Sequence, residues 1–197
     1  LKKNINTVLK TAALISLPAA CGLIAIGGRI TDFLYDTEAS AVIGGEMLTL
    51  YGLAALFAGF LVPLGGILQA VDRQNAVLLN TAVGTAVKLL VNIIAVSVPK
   101  INVMGSALGT VLCFFVIFLL DIAVLIKAVG FAPDSANVFL KPLASAAFCG
   151  LAARLTVMLG SSWGVTLLAV FAAVLVYAAL IIALKTVSES DFPDSDK

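Results

Sequence analysis

From Gly105 to Lys127 the chain reads GSALGTVLCFFVIFLLDIAVLIK, with Asp121 as the one charge between its ends. A helix of about 20 predominantly apolar residues is what it takes to cross roughly 30 Å of hydrocarbon. The stretch therefore predicts a spanning helix. Working outward, the same kind of segment recurs at 8–28, 46–70, 76–98, 140–160 and 163–185, each bounded by polar or turn residues. Six spans imply an all-α, polytopic membrane helix bundle.

Composition agrees. The 197 residues are 61% hydrophobic and 12% charged, with a mean hydropathy of +1.14. Ordinary soluble domains run at about 45–50% apolar and about 25% charged, so a soluble fold is excluded. Twelve Lys and Arg against 11 Asp and Glu leave a net charge of +1, no footprint for nucleic acid. A signal peptide is a poor account of the first segment, which contains Pro18, is followed by Arg29, Asp32 and Asp36, and precedes five more apolar stretches. The opening at Leu1, in mid-phrase, predicts a piece of a longer protein.

Basic residues orient the spans, since short loops rich in Lys and Arg face the cytoplasm. Lys2, Lys3, Lys10, Arg73, Lys127, Lys141 and Lys185 fall on one side, and Arg29 and Lys100 on the other. Both termini are predicted to be cytoplasmic. Tyr35 and Trp163 suit the opposite interface. The linker 130–139, with Pro133, Asp134 and Ser135, divides a four-span block (1–129) from a hairpin (140–185). The acidic end, 186–197, is predicted to be a disordered cytoplasmic tail.

Span three carries the strongest polar signal. Gln74, Thr81, Thr85, Lys88 and Asn92 fall within about 60° of one another at 100° per residue, a stripe on one helix face. Lys88 lies roughly 18 Å past the cytoplasmic end, near mid-membrane. An ammonium there costs roughly 2.5–3.5 kcal/mol on insertion scales, so it needs a hydrated cavity or a partner. As a cavity wall the stripe would attract anionic headgroups; the plainer alternatives are a snorkelling lysine or a structural ion pair. Asp121 is the candidate partner, offset from Lys88 by about 9 Å along the axis, and a candidate for ion coupling. Arg154 is expected to snorkel outward, and Arg29 and Glu46 to sit near outer helix ends. Pro18 and Pro63, inside spans one and two, are candidate helix hinges, although prolines are also common in membrane helices for structural reasons. Gly105 and Gly109, and Ala55 and Gly59, allow close helix approach.

Enzyme chemistry finds no footing. The chain has no histidine, which removes Ser/His/Asp and Cys/His catalysis and histidine-ligated metals. Cys21, Cys113 and Cys149 lie on three different spans with no ligand spacing and read as small apolar residues. No phosphate-binding loop of the ATPase kind is present, and neither a catalytic residue, a metal nor a cofactor is expected.

Three stretches carry a resemblance. LISLPAACG at Leu14–Gly22 leads to Arg29-Ile-Thr-Asp-Phe-Leu-Tyr-Asp36; Gly66-Ile-Leu-Gln-Ala70 precedes Asp72-Arg-Gln-Asn75; and Val87-Lys-Leu89 with Asn92 precedes Pro99-Lys-Ile-Asn-Val-Met-Gly-Ser-Ala-Leu-Gly-Thr110. In this order they resemble the C-terminal half of the stage V sporulation protein B branch of the multidrug/oligosaccharidyl-lipid/polysaccharide exporter superfamily, the group that also holds the lipid II flippases. The resemblance covers residues 1–185. It implies the C-terminal lobe of a two-lobe transporter: residues 1–129 complete the second lobe, and 140–185 form the extra hairpin of lipid-handling members, beside a groove for a lipid tail. It further implies a bacterial plasma membrane, a missing N-terminal lobe as partner, and a role in cell-wall or polysaccharide biosynthesis. The activity implied is alternating-access export of a lipid-linked oligosaccharide or peptidoglycan precursor, with Lys88 and Asn92 as the match to the cavity. A drug or cation antiporter of the same superfamily, or a non-transporting membrane scaffold, are the alternatives.

Overall fold

Two helices of 33 residues each, α1 (Lys2–Leu34) and α2 (Glu38–Ala70), open the structure, a computed structural model that describes residues 1–35, 37–98, 102–134, 136–160 and 162–183. They are followed by α3 (Gln74–Val96), α4 (Asn102–Val129), α5 (Lys141–Val157) and α6 (Trp163–Ala183). All six are long and apolar enough to cross a membrane, α5 with the helical turn ahead of it. The chain is a multi-pass, all-α membrane protein, and among the described residues there is no strand. At 1.5 Å per residue α1 and α2 each run about 50 Å, well beyond the hydrocarbon. That is why α1 extends past the predicted 8–28 at both ends. The acidic tail 186–197 lies outside the described residues.

The helices form a row, α3–α4–α2–α1–α5–α6, so that α1 lies between α2 and the terminal hairpin. Lipid supplies no hydrophobic push between helices, and close approach depends on small residues. Gly45, Gly52 and Gly59, seven apart along α2, supply it: Gly45 lies on Gly28, Gly52 on Ala20 and Ile24, and Gly59 on Ser16 of α1. The pairing runs antiparallel. Deeper toward the N-terminal end, Ile5, Leu9, Ala13 and Leu17 of α1 pack with Phe60, Leu64 and Leu68 of α2 and Leu125 of α4. A ladder of rings extends this core, Phe60 standing 5.5 Å from Phe118 and 5.1 Å from Phe139, and Phe57 5.1 Å from Phe115.

The predicted linker is only partly a loop. After Gly130, whose left-handed backbone (φ 76°) ends α4, the chain becomes helical again at Ala136, as a widened turn to Leu140 that continues into α5. Pro142 explains the widening: without an N–H it cannot serve the carbonyl one ordinary turn back, at Val138. The linker is tied to α1, where Asn6 Oδ1 accepts the Asp134 N–H at 3.3 Å and the Lys2 ammonium lies 5.5 Å from the Phe131 ring centre. The hairpin packs on α1 through Cys149, Ala153, Ala169 and Ala173 with Ile26. At the far end Phe33 stacks on Trp163 at 4.6 Å.

A methyl group at Gly52 would meet the backbone of Ala20 and Ile24 at 3.1 Å, whereas one at Gly66 meets nothing within 4 Å. Gly52→Ala should destabilise the full-length protein by about 1–3 kcal/mol. Gly66→Ala should be neutral, or stabilising by up to about 1 kcal/mol through helix propensity. Thermal unfolding in detergent compares the two.

Candidate functional site

Helix α3 is held along one side. Gly84 lets it close on α4, where an added Cβ would run into Ile117 and come 3.0 Å from the Cys113 carbonyl. One helical stretch further on, Gly109 of α4 receives Asn92 and the Lys88 backbone in the same way. Leu78, Leu79, Val83, Leu89, Leu90, Ile93 and Ile94 remain exposed on the rest of the helix.

The polar stripe divides along its length. Gln74, Thr81 and Thr85 are exposed. The two threonine hydroxyls donate to carbonyls of their own helix, Val77 and Thr81, at 2.8 Å each, which neutralises them as polar groups. Lys88 and Asn92 are half-buried at the edge of the α3–α4 seam. Lys88 makes no ion pair among the described residues. The Oδ1 atom of Asn92 is fully buried, packed on Gly109, with no donor among the described residues.

Asp121 has a different neighbour from the one expected. It is 1% exposed and accepts a hydrogen bond from Asn80 Nδ2 at 2.8 Å. Asn80 precedes Lys88 by about two turns, roughly 12 Å of rise, which leaves the ammonium without this carboxylate. The structure thus brings Asn80 and Asp121 together at one depth, Lys88 and Asn92 at another, and leaves Gln74, Thr81 and Thr85 on open surface. Asn80 escaped the stripe because it points about 100° away from Thr81. The signal that finds it is the pairing of depths: Asn80 near the start of α3 and Asp121 near the end of an antiparallel α4.

Pro18 and Pro63 lie inside continuous helices. At Pro18 the missing N–H strands the carbonyl of Leu14, one turn back. Tyr177 of α6 fills that vacancy, its hydroxyl donating to Leu14 O at 2.7 Å. In hydrocarbon an unmet carbonyl has no water to turn to, so the tyrosine both repairs α1 and fastens the hairpin to it. Tyr177 was not singled out by the sequence; a lone hydroxyl-bearing ring in an otherwise apolar last span was the available sign.

Compared with known proteins, the chain is similar to the Lipid II flippase MurJ of Bacillus subtilis (strain 168), at 24% identity over 136 residues. The match takes in 67% of this chain and 24% of the relative, so it spans about a quarter of that protein's length. No family model matches the chain. No solved structure matches it.

Removing the Tyr177 hydroxyl should cost about 1–2 kcal/mol, the worth of an interhelical hydrogen bond whose loss strands a carbonyl. In a Pro18→Ala background, where an N–H returns to Leu14, Tyr177→Phe should cost less than about 0.5 kcal/mol. The double-mutant cycle, read from unfolding of the full-length protein, isolates this coupling.

Proposed function

We propose that this chain is the C-terminal part of a transporter that moves a lipid-linked oligosaccharide or peptidoglycan precursor across a bacterial plasma membrane by alternating access. The observation that carries the proposal is Lys88: a mid-span ammonium with no ion pair among the described residues, on a helix whose other faces are uncovered. A charge at that depth is expensive unless it meets water or an anion. A phosphate-bearing headgroup is such an anion, and the likeness to a protein named as a lipid II flippase supports the same class of substrate.

In this proposal α1 to α4, residues 1–129, complete one lobe, and 140–185 form an added hairpin. The termini are cytoplasmic, and an N-terminal lobe closes the cavity against the uncovered side of α3. Gln74, Thr81 and Thr85 line the approach, Lys88 draws the headgroup, and Asn92, seated on Gly109, borders it on the α4 side. Pro18 and Pro63 are points where α1 and α2 bend as the lobes rock. Sporulation and polysaccharide synthesis are processes such a transporter would serve.

The rival transporter, a drug or cation antiporter coupled through Asp121, is supported less well, because the Asp121 carboxyl is enclosed and engaged by Asn80. A scaffold would have used Lys88 in a structural ion pair.

Replacing Lys88 with Gln in the full-length protein should slow headgroup translocation into vesicles by roughly ten- to a hundredfold, the worth of one charge-assisted hydrogen bond, with the unfolding temperature unchanged. Unchanged transport removes the anion-cavity role; a protein that no longer folds favours the scaffold. Asp121→Asn, which keeps an oxygen for Asn80, should leave transport within about twofold. Loss of any dependence on a cation gradient in that variant would instead favour the antiporter.

A further inference from the structure

At the end of the bundle away from the N-terminus, two adjoining clefts run along the seam between α1 and α5. The upper one, about 520 Å³, is lined by Arg29, Asp32, Thr49 and Arg154. The lower one, about 260 Å³, has walls of Cys21, Ile24, Ala147 and Leu151. They share Ile24, Ala25 and Arg154, so a polar mouth opens directly onto an apolar slot. Arg29 lies five residues before the end of α1 and Arg154 three before the end of α5, roughly 8 and 5 Å of helix. That is headgroup depth.

The charges there are not settled within the protein. A guanidinium cannot shed its proton, and neither arginine makes an ion pair among the described residues, Asp32 included. Two arginines against one aspartate leave the mouth at +1. We infer that the α1–α5 cleft is a binding site for an anionic phospholipid, its phosphodiester held between Arg29 and Arg154 and one acyl chain lying in the slot beside Ala147 and Leu151. A single phosphodiester balances the charge, and the guanidinium fork matches its oxygens. A zwitterionic head would leave the excess charge in place. This site is separate from Lys88, with α4 and α2 between α3 and the α1–α5 seam, and does not depend on the transport proposal.

The test is retention of lipid by the full-length protein in phosphatidylcholine nanodiscs that hold a minor share of phosphatidylglycerol, released gently and weighed by native mass spectrometry. Phosphatidylglycerol should be retained about tenfold over phosphatidylcholine, one charge-assisted hydrogen bond's worth of preference. Arg29→Gln with Arg154→Gln should erase the preference. Ala147→Phe, which fills the slot and leaves both arginines, should lower retention, and an excess of inorganic phosphate should not displace the lipid. Equal retention of the two lipids by the unaltered protein overturns the inference, as does an undiminished preference in the double variant. Stronger retention of phosphatidylethanolamine would mean that Asp32 takes an ammonium, and displacement by phosphate that no chain is held; either result also overturns it. Should the double variant fail to fold, the unaltered protein and Ala147→Phe decide the matter.

Discussion

A carbonyl buried in hydrocarbon must find its donor in the protein, and the Leu14 carbonyl, deprived of one by Pro18, finds it in Tyr177 on the last helix. This bond joins the first described helix to the last. It is made at α1, which lies between α2 and the hairpin, with the glycines of α2 on one side and the small residues of the hairpin on the other. If α1 bends at Pro18, the donor that accommodates the bend belongs to the hairpin, so motion of one is transmitted to the other. Pro63 has its own close contact nearby: Gly59, the residue whose carbonyl Pro63 cannot serve, is where α2 meets Ser16. The two prolines thus stand near one tightly packed stretch of the α1–α2 seam, and a bend there would move both helices together.

Polar groups are graded by depth along the bundle. Asn80 and Asp121 pair within the α3–α4 seam through one hydrogen bond. Arg29 and Arg154 stand near helix ends, where guanidinium stems reach headgroups. Lys88 belongs to neither class. It lies roughly 21 Å along α3 from Gln74 and about 12 Å from Val96, beyond the reach of a four-carbon stem to either end. On α4, Gly109 lies against its backbone and Cys113 stands near its charge.

Much of this architecture is legible in residue order because membrane spans are set by one dominant quantity, a sustained apolar run. All six appear where hydropathy places them. Their ends do not, since helices continue past the hydrocarbon wherever no breaker stops them: α1 begins at Lys2 and α2 at Glu38. At the linker a helix likewise begins earlier than apolar run length suggests, at Ala136. Of the candidate site, the stripe was legible and its neighbours were not. A stripe with one period captures residues on one face, but helix contacts select a seam, and the seam of α3 runs through Asn80, Gly84 and Asn92, crossing the stripe at its far end. Partner choice between spans depends on which small residues admit which neighbours. The heptad of Gly45, Gly52 and Gly59 held that information for α1 and α2, and Gly84 with Gly109 for α3 and α4.

That crossing changes what the stripe means chemically. Thr81 and Thr85 return their hydroxyls to their own helix, so they cost little against lipid or protein and attract little from either. Gln74 stands at the helix start, where water is close. The polar weight of α3 therefore rests on Lys88 and on the unpartnered oxygen of Asn92, four residues apart and both at the edge of the seam. An amide held against Gly109 is fixed in place, whereas an ammonium at the same edge retains the freedom of its stem. The fixed acceptor of Asn92 lies one turn from the Lys88 cation on the same helix.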